Sequence, residues 1–432
     1  MRNLFCIIAL ALLCTTCRLP STQEQPDPKL VTCADIATGG TRPTQLLFQR
    51  ADHSLWLAPL DQKLNPSLID VCRRQLTESL RPDDDVVKWS LSPDQQWLAY
   101  VQVRGWRKTN EDRGKARLLN LWTGEKRTLL DNLWAEDYNW MAEPWDVDRA
   151  VIESDPLWSQ DSTRFTLVSA HAGRVGLYLY TLTTGKLTLL AQGQKNIAWP
   201  QWSPDESYLL YHDIIGFGTG AGPTGGALWA VRTDGSEPPH RLSQTDEHFE
   251  RVSGWVDNTH ISTYKSEFVR PVWDVSTVNI QTGSRISALT DELRGHPCWH
   301  YSNESNELTV KLQPLITDWL DCNVVLSPTG RFAAAISNST VEHDSRFVLI
   351  NLSDGAVTTL VEAPNPSVAA FNPTWSPTGD LLLWWAPTSH LATNENSKYS
   401  LWATWVEQKQ PFLVAEQVDL WSKLQWITDD KR

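Results

Sequence analysis

The chain has 432 residues, 41% of them hydrophobic and 21% charged, with a formal net charge of -13. This composition is globular and the length exceeds one ordinary core, so two or three domains or a repeat array are expected. The acidic balance excludes a sequence-independent grip on nucleic acid, and only the first residues are apolar enough to approach a bilayer, which excludes a multi-span membrane protein.

Residues 1–17 read MRNLFCIIALALLCTTC. Arg2 supplies a positive start and Leu4 to Leu13 an apolar run too short to span a bilayer, the pattern of an export signal. Residues 18–30, RLPSTQEQPDPKL, are polar and Pro-rich, the composition of a flexible tether. A cysteine after a short apolar run, followed by such a tether, resembles the bacterial lipoprotein signal. Cys14 and Thr16 stand where that family carries Leu and a small Gly or Ala. The resemblance implies lipid on Cys17, membrane contact through that anchor only, and a place in the cell envelope. The expected organisation is a signal over 1–17, a tether and N-terminal arm over 18–43, and one folded unit over 44–430.

Export makes the other cysteines readable. Cys33, Cys72, Cys298 and Cys322 form an even set in an oxidising compartment. Three pairings are possible; nearness in sequence favours Cys33–Cys72 with Cys298–Cys322. Four buried free thiols are the alternative.

From residue 44 onward the chain repeats. A Trp-Ser-Pro-Asp-like turn followed by an apolar strand occurs as LSPDQQWLAYVQ from Leu91, WSQDSTRFTLVS from Trp158, WSPDESYLLYHD from Trp202 and WVDNTHISTYKS from Trp255. It recurs as LSPTGRFAAAIS from Leu326 and WSPTGDLLLWWA from Trp375. After each copy an alternating strand ends in a Thr-Gly or Asp-Gly turn and a short strand, as in LYTLTTGKLTLL from Leu179. Pro presets φ, Asp caps the local backbone, and Gly or Asn accepts positive φ. Each unit therefore predicts four short strands, and four-stranded units repeating radially make a β-propeller. These motifs resemble the TolB-type, WD40-like propeller repeat family across residues 44–430. The resemblance implies envelope protein interactions.

The ends set the blade number. LLFQR from Leu46 matches a second strand, and SLWLAPL and CRRQLT match the third and fourth, so the first unit lacks its inner strand. The strand from Leu420 to Trp426 is expected to supply it, closing an all-β propeller of seven four-stranded blades. Six or eight blades stay open, because residues 291–321 could hide a further hairpin. A Trp at the start of each inner strand is expected to fill the wedge between blades, which makes most of the 23 Trp core residues.

In such a unit the turns between strands one and two and between three and four share a face, and they are short. The connections between strands two and three and between blades share the other face. Every long insertion is expected there: residues 104–116, 131–157, 213–226, 291–321 and 387–399. Long loops on a rigid scaffold commonly carry function. Segment 131–157 holds eight carboxylates against one Arg, with Trp134, Trp140 and Trp145 among them. With Asp146, Asp148, Trp299 and His300 these form the candidate surface for a protein or envelope component. Trp beside acid also suits sugar stacking, so a carbohydrate-binding or carbohydrate-active propeller with its site over the central channel is the alternative.

Other chemistry is weaker. Asp146 with Asp148, or Asp83 to Asp85, lacks EF-hand spacing. His296, Cys298 and His300 lack a fourth zinc ligand. The Gly-rich stretch 216–226 is no phosphate loop and reads as a mobile hairpin loop. No G-x-S-x-G nucleophile motif and no recognisable catalytic pair stand out. No metal, no cofactor and no nucleic acid partner is expected, and binding is favoured over catalysis.

Overall fold

The computed structural model describes residues 44–428 apart from 61–68, 70–71, 78–83, 105–113, 134–155, 195, 219–221, 246–249, 268–269, 290–311, 313, 315–318, 321–323, 339–344, 364–372, 388–398 and 419–422. The described strands form seven antiparallel sheets. Blade 1 orders Gln425–Ile427, Gln45–Gln49, Leu55–Pro59 and Arg74–Gln75 from inner to outer edge. Blade 2 comprises Asp84–Leu91, Trp97–Arg104, Lys115–Asn120 and Lys126–Leu130, and blade 3 Leu157–Trp158, Arg164–Ser169, Gly176–Thr181 and Lys186–Gln192. Blade 4 runs Asn196–Trp202, Tyr208–Gly218, Gly222–Arg232 and His240–Arg241, and blade 5 Glu250–Trp255, His260–Glu267, Arg270–Asn279 and Arg285–Leu289. In blade 6 the inner position is split between Trp319–Leu320 and Val325–Leu326, both paired to Phe332–Asn338, with Ser345–Asn351 and Val357–Ala363 outside. Blade 7 has Thr374–Trp375, Leu381–Pro387, Tyr399–Trp405 and Phe412–Val418.

The chain is a seven-bladed β-propeller closed by its C-terminal strand. Gln45 pairs with Ile427, Leu46 with Trp426 and Leu47 with Gln425. Among the described residues segment 291–321 adds no blade: its strand Trp319–Leu320 lies in the inner edge of blade 6.

Burial follows from stacking blades face to face. Middle strands touch a neighbour on both sides, so Arg164–Ser169 and Gly176–Thr181 are buried almost throughout, while outer Lys186–Gln192 mixes exposed and buried positions. Apolar clusters join blades 1 and 2, 2 and 3, 3 and 4, 4 and 5, 6 and 7, and 7 and 1. The closing seam sets Leu46 and Phe48 against Leu383, Trp385 and Trp405, with Trp56 and Trp426 packed on the cluster.

The tryptophans sit between blades, but at the other end of the strand from that expected. Trp158, Trp202, Trp255 and Trp375 each terminate an inner strand. For Trp158, Trp202 and Trp375 the reason is a hydrogen bond. The indole N–H of Trp158 donates to the Ser90 carbonyl, that of Trp202 to the Leu157 carbonyl, and that of Trp375 to the Val325 carbonyl. Each acceptor is the residue just before the equivalent slot in the preceding blade. The ring thus packs apolar surface and satisfies an inner-strand carbonyl at once.

The Ser-Pro-Asp turns repeat in atomic detail. Ser203 Oγ accepts the Tyr208 N–H and donates to Asp205, whose carboxylate accepts the Ser207 N–H. The left-handed position falls on Gly330 and Gly379, but on Gln95, Ser162 and Glu206 in blades 2 to 4, at φ of 60°, 61° and 58°. A non-glycine residue there costs on the order of 1 kcal/mol. Each of the three reaches back to the preceding blade. Gln95 Oε1 accepts the Thr428 N–H, Ser162 Oγ accepts the Asp94 N–H, and Glu206 accepts the Gln160 N–H and pairs with Arg164 at 3.0 Å. Gly379 instead lies so close to the preceding turn that a Cβ would meet Pro328 and Thr329 at 3.3 Å. These turns interlock one end of the ring.

One connection departs from expectation. Residues 60–73 join the third and outer strands of blade 1, so this long segment starts and ends on the short-turn face rather than the opposite one.

Candidate functional site on the loop face

The described strands place the ends of all five insertions on one face. Arg104 and Lys115 flank the first, Leu130 and Leu157 the second, Leu289 and Trp319 the fourth, and Pro387 and Tyr399 the fifth. The third is a paired hairpin rather than an open loop. The strands Tyr208–Gly218 and Gly222–Arg232 stay in register to Gly218 and Gly222, with shifts near Gly216. Eleven residues per strand, at about 3.3 Å each, carry this hairpin past the middle strands of blade 3, which have six.

Trp134, Trp140, Trp145, Asp146, Asp148, Trp299 and His300 lie outside the described residues, as do Cys17, Cys33, Cys298 and Cys322. The structure does show how the acidic segment is rooted. Leu133 is fully buried; its N–H donates to the Gly114 carbonyl, and its own carbonyl accepts Ser169 Oγ at 2.9 Å and the Ala170 N–H at 2.8 Å. At the return, the Pro156 carbonyl accepts Ser90 Oγ. One root sits on the second strand of blade 3 and the other beside its inner strand. Residues 134–155 therefore begin and end on a fixed platform, and strand geometry sets the positions of both ends.

His171 stands beside the first root. Its Nδ1 lies 3.0 Å from Ser169 Oγ, its ring packs on Tyr178 at 4.6 Å, and burial pushes its pKa below the ordinary value. Next along the face, the nearly buried Asp213 carboxylate accepts the Gln194 N–H through both oxygens at 3.0 and 3.1 Å. This fixes the crossing from blade 3 to blade 4. Gly193 is needed there, because a Cβ would meet Ile197 at 2.8 Å and Asp213 at 3.1 Å.

Between blades 4 and 5 the platform is held by buried polar groups. His212, 4% exposed, donates its Nε2–H to the Glu250 carbonyl at 2.8 Å, since a carbonyl can only accept. Arg285 makes a bidentate pair with the Glu250 carboxylate, which also accepts Thr263 Oγ1, and Arg285 donates to the Leu242 carbonyl of blade 4. None of these residues carries a motif, so only the fold brings them together. Among the described residues no group of three His, Cys, Asp or Glu could hold a metal ion.

His212 makes a pH prediction. Burial pushes its pKa down to about 4 from 6.5. Below pH 6.5 the unfolded chain takes up a proton that the folded chain refuses until about pH 4. Stability contributed by neutral His212 is complete above 6.5 and falls as pH drops through that window, by about 3 kcal/mol in total. Urea midpoints at pH 7 and pH 4 should therefore diverge less in His212→Gln than in the parent. An identical pH dependence in both would remove His212 as the cause.

No protein-family model matches this sequence, and neither does any curated protein. Several solved structures are similar. A prolyl endopeptidase shares 13% identity over 89% of this chain with a TM-score of 0.43, and this chain spans 50% of its length. TolB from Acinetobacter baumannii shares 13% identity over 90% of this chain and 69% of its own, at a TM-score of 0.33. An oligogalacturonate lyase from Vibrio parahaemolyticus shares 14% identity over 79% of this chain and 88% of its own, at 0.39. At such identities and scores no activity transfers to this chain, and its architecture rests on the strand pairings above.

Proposed function

We propose that this chain is an exported, lipid-anchored, non-catalytic propeller that binds a protein or another cell-envelope component through its loop face. The observation that supports this most is the asymmetry of the two faces. Apart from residues 60–73, the turn face carries short turns that latch neighbouring blades together. The opposite face bears the rooted ends of an acidic segment rich in Trp and a projecting hairpin. Acid and aromatic side chains on a rigid base suit a partner with cationic groups, by ion pairing and cation–π contact. Cys17 is the proposed anchor, and the mature chain recovered from the envelope should begin there, lipid-modified.

The test deletes residues 134–155 and joins the roots Leu133 and Pro156 through a short Gly-Ser linker. In crosslinking pull-downs from the source envelope, the deletion should lower capture of a specific partner at least tenfold while the thermal midpoint stays within a few degrees. Unchanged capture refutes the assigned surface. Stabilisation of the parent by saccharides, lost in the deletion, would replace the protein partner with a carbohydrate.

A further inference from the structure

We infer that Cys72 is joined to Cys33, and that this bond staples the N-terminal arm to the turn face beneath blade 1. Cys72 is disulfide-bonded, and it is the one cysteine among the described residues, so its partner lies elsewhere in the chain. Its position restricts the choice. It directly precedes the outer strand Arg74–Gln75, whose partners Leu57 and Trp56 place its start on the turn-face side of blade 1. The chain enters the propeller on that same side, where the Thr44 carbonyl accepts the Leu60 N–H at 2.8 Å.

Cys33 precedes Thr44 by eleven residues, a reach of up to about 36 Å. The distance from the second strand of a blade to its outer strand is only about 10 Å. Cys33 therefore reaches Cys72 with length to spare. Cys322 does not. It falls between Leu320 and Val325, both in the inner edge of blade 6, and blade 7 separates that edge from blade 1. A disulfide needs Cα atoms within about 7 Å. The connection that contains Cys298 has its described ends, Leu289 and Trp319, on the loop face, the side opposite Cys72.

The bond has a consequence for orientation, which rests on the anchoring proposed above; the bond itself does not. Without the staple, residues 18–43 would separate anchor from propeller by about 28 Å on average. With it, only residues 18–32 stay free, about 21 Å. A membrane anchor would then hold the turn face toward the bilayer and leave the loop face pointing away, open to a partner.

Peptide mapping of the full exported chain without reduction tests the bond. The expected result is one crosslinked pair containing Cys33 and Cys72, and Cys33→Ser should leave Cys72 open to maleimide after denaturation. Linkage of Cys72 to Cys298 or Cys322, or a Cys72 that maleimide labels in the parent, overturns the inference. Orientation is read on vesicles carrying the anchored protein and an acceptor lipid. A dye at turn-face Glu237→Cys should transfer energy to the acceptor at least twice as efficiently as one at loop-face Arg174→Cys. Equal or reversed efficiencies overturn the orientation and leave the disulfide map to stand or fall separately.

Discussion

Deleting residues 423–432 is expected to abolish the cooperative unfolding of the propeller. The deletion removes the inner strand of blade 1 and its pairing to Gln45, Leu46 and Leu47. It takes away Ile427, 3% exposed, and the partly buried Trp426, and it uncovers the fully buried Leu46 and Leu47. At about 1.5–3 kcal/mol for each large apolar side chain, the loss approaches the whole stability of an ordinary domain. The Thr428 latch to Gln95 goes as well. The freed strand edge also becomes a template for pairing with other chains. Denaturation followed by tryptophan fluorescence and size-exclusion chromatography should show a broad transition and aggregates. Strand and entry point meet on the turn face, so fusing residues 419–432 ahead of residue 44 through a short linker should restore the parent transition. A truncated chain with the parent midpoint would mean that closure does not hold the ring.

The second large effect concerns the Glu250–Arg285 pair. Their side chains are 1% and 9% exposed, and the contact is bidentate. Arg285→Met leaves a carboxylate buried with only Thr263 as a remaining side-chain donor, a change expected to cost about 3–5 kcal/mol. Glu250→Leu should cost a similar amount by stranding the guanidinium. The double variant should recover most of the loss, because two apolar side chains need no partner there. Chemical denaturation of the four proteins completes the cycle. Additive losses in the double variant would show that the two groups act independently. This pair ties blade 5 to blade 4 in a seam whose turn-face contact is His240 Nε2 on the Ile280 carbonyl rather than a latch from the turn between the first two strands. The turn after Trp255 reads Val-Asp-Asn-Thr, and Asp257 spends its hydrogen bonds on Thr259 and His260 of its own blade.

Much of the scaffold is legible in the linear chain because its determinants are local. Ser-Pro-Asp turns, alternating strands and Thr-Gly turns are each a few residues long, and their recurrence from Leu91 to Trp375 defines the blades without any long-range contact. An unpaired second strand at Leu46 and an unpaired strand at Trp426 imply each other, so closure was legible too. What the sequence could not convey is where side chains meet across blades. Trp158 and Ser90 are 68 positions apart, and their hydrogen bond placed the tryptophans at strand ends rather than strand starts. Gln95 and Thr428 are 333 apart. His212, Glu250 and Arg285 look like ordinary strand residues until blades 4 and 5 stack. The sequence by itself determined the repeat unit and the polarity of the faces, and favoured seven blades over six or eight, because backbone turn chemistry and strand alternation are short-range. Only the tertiary structure decided which polar groups are buried against each other, because burial depends on which blade comes to lie alongside.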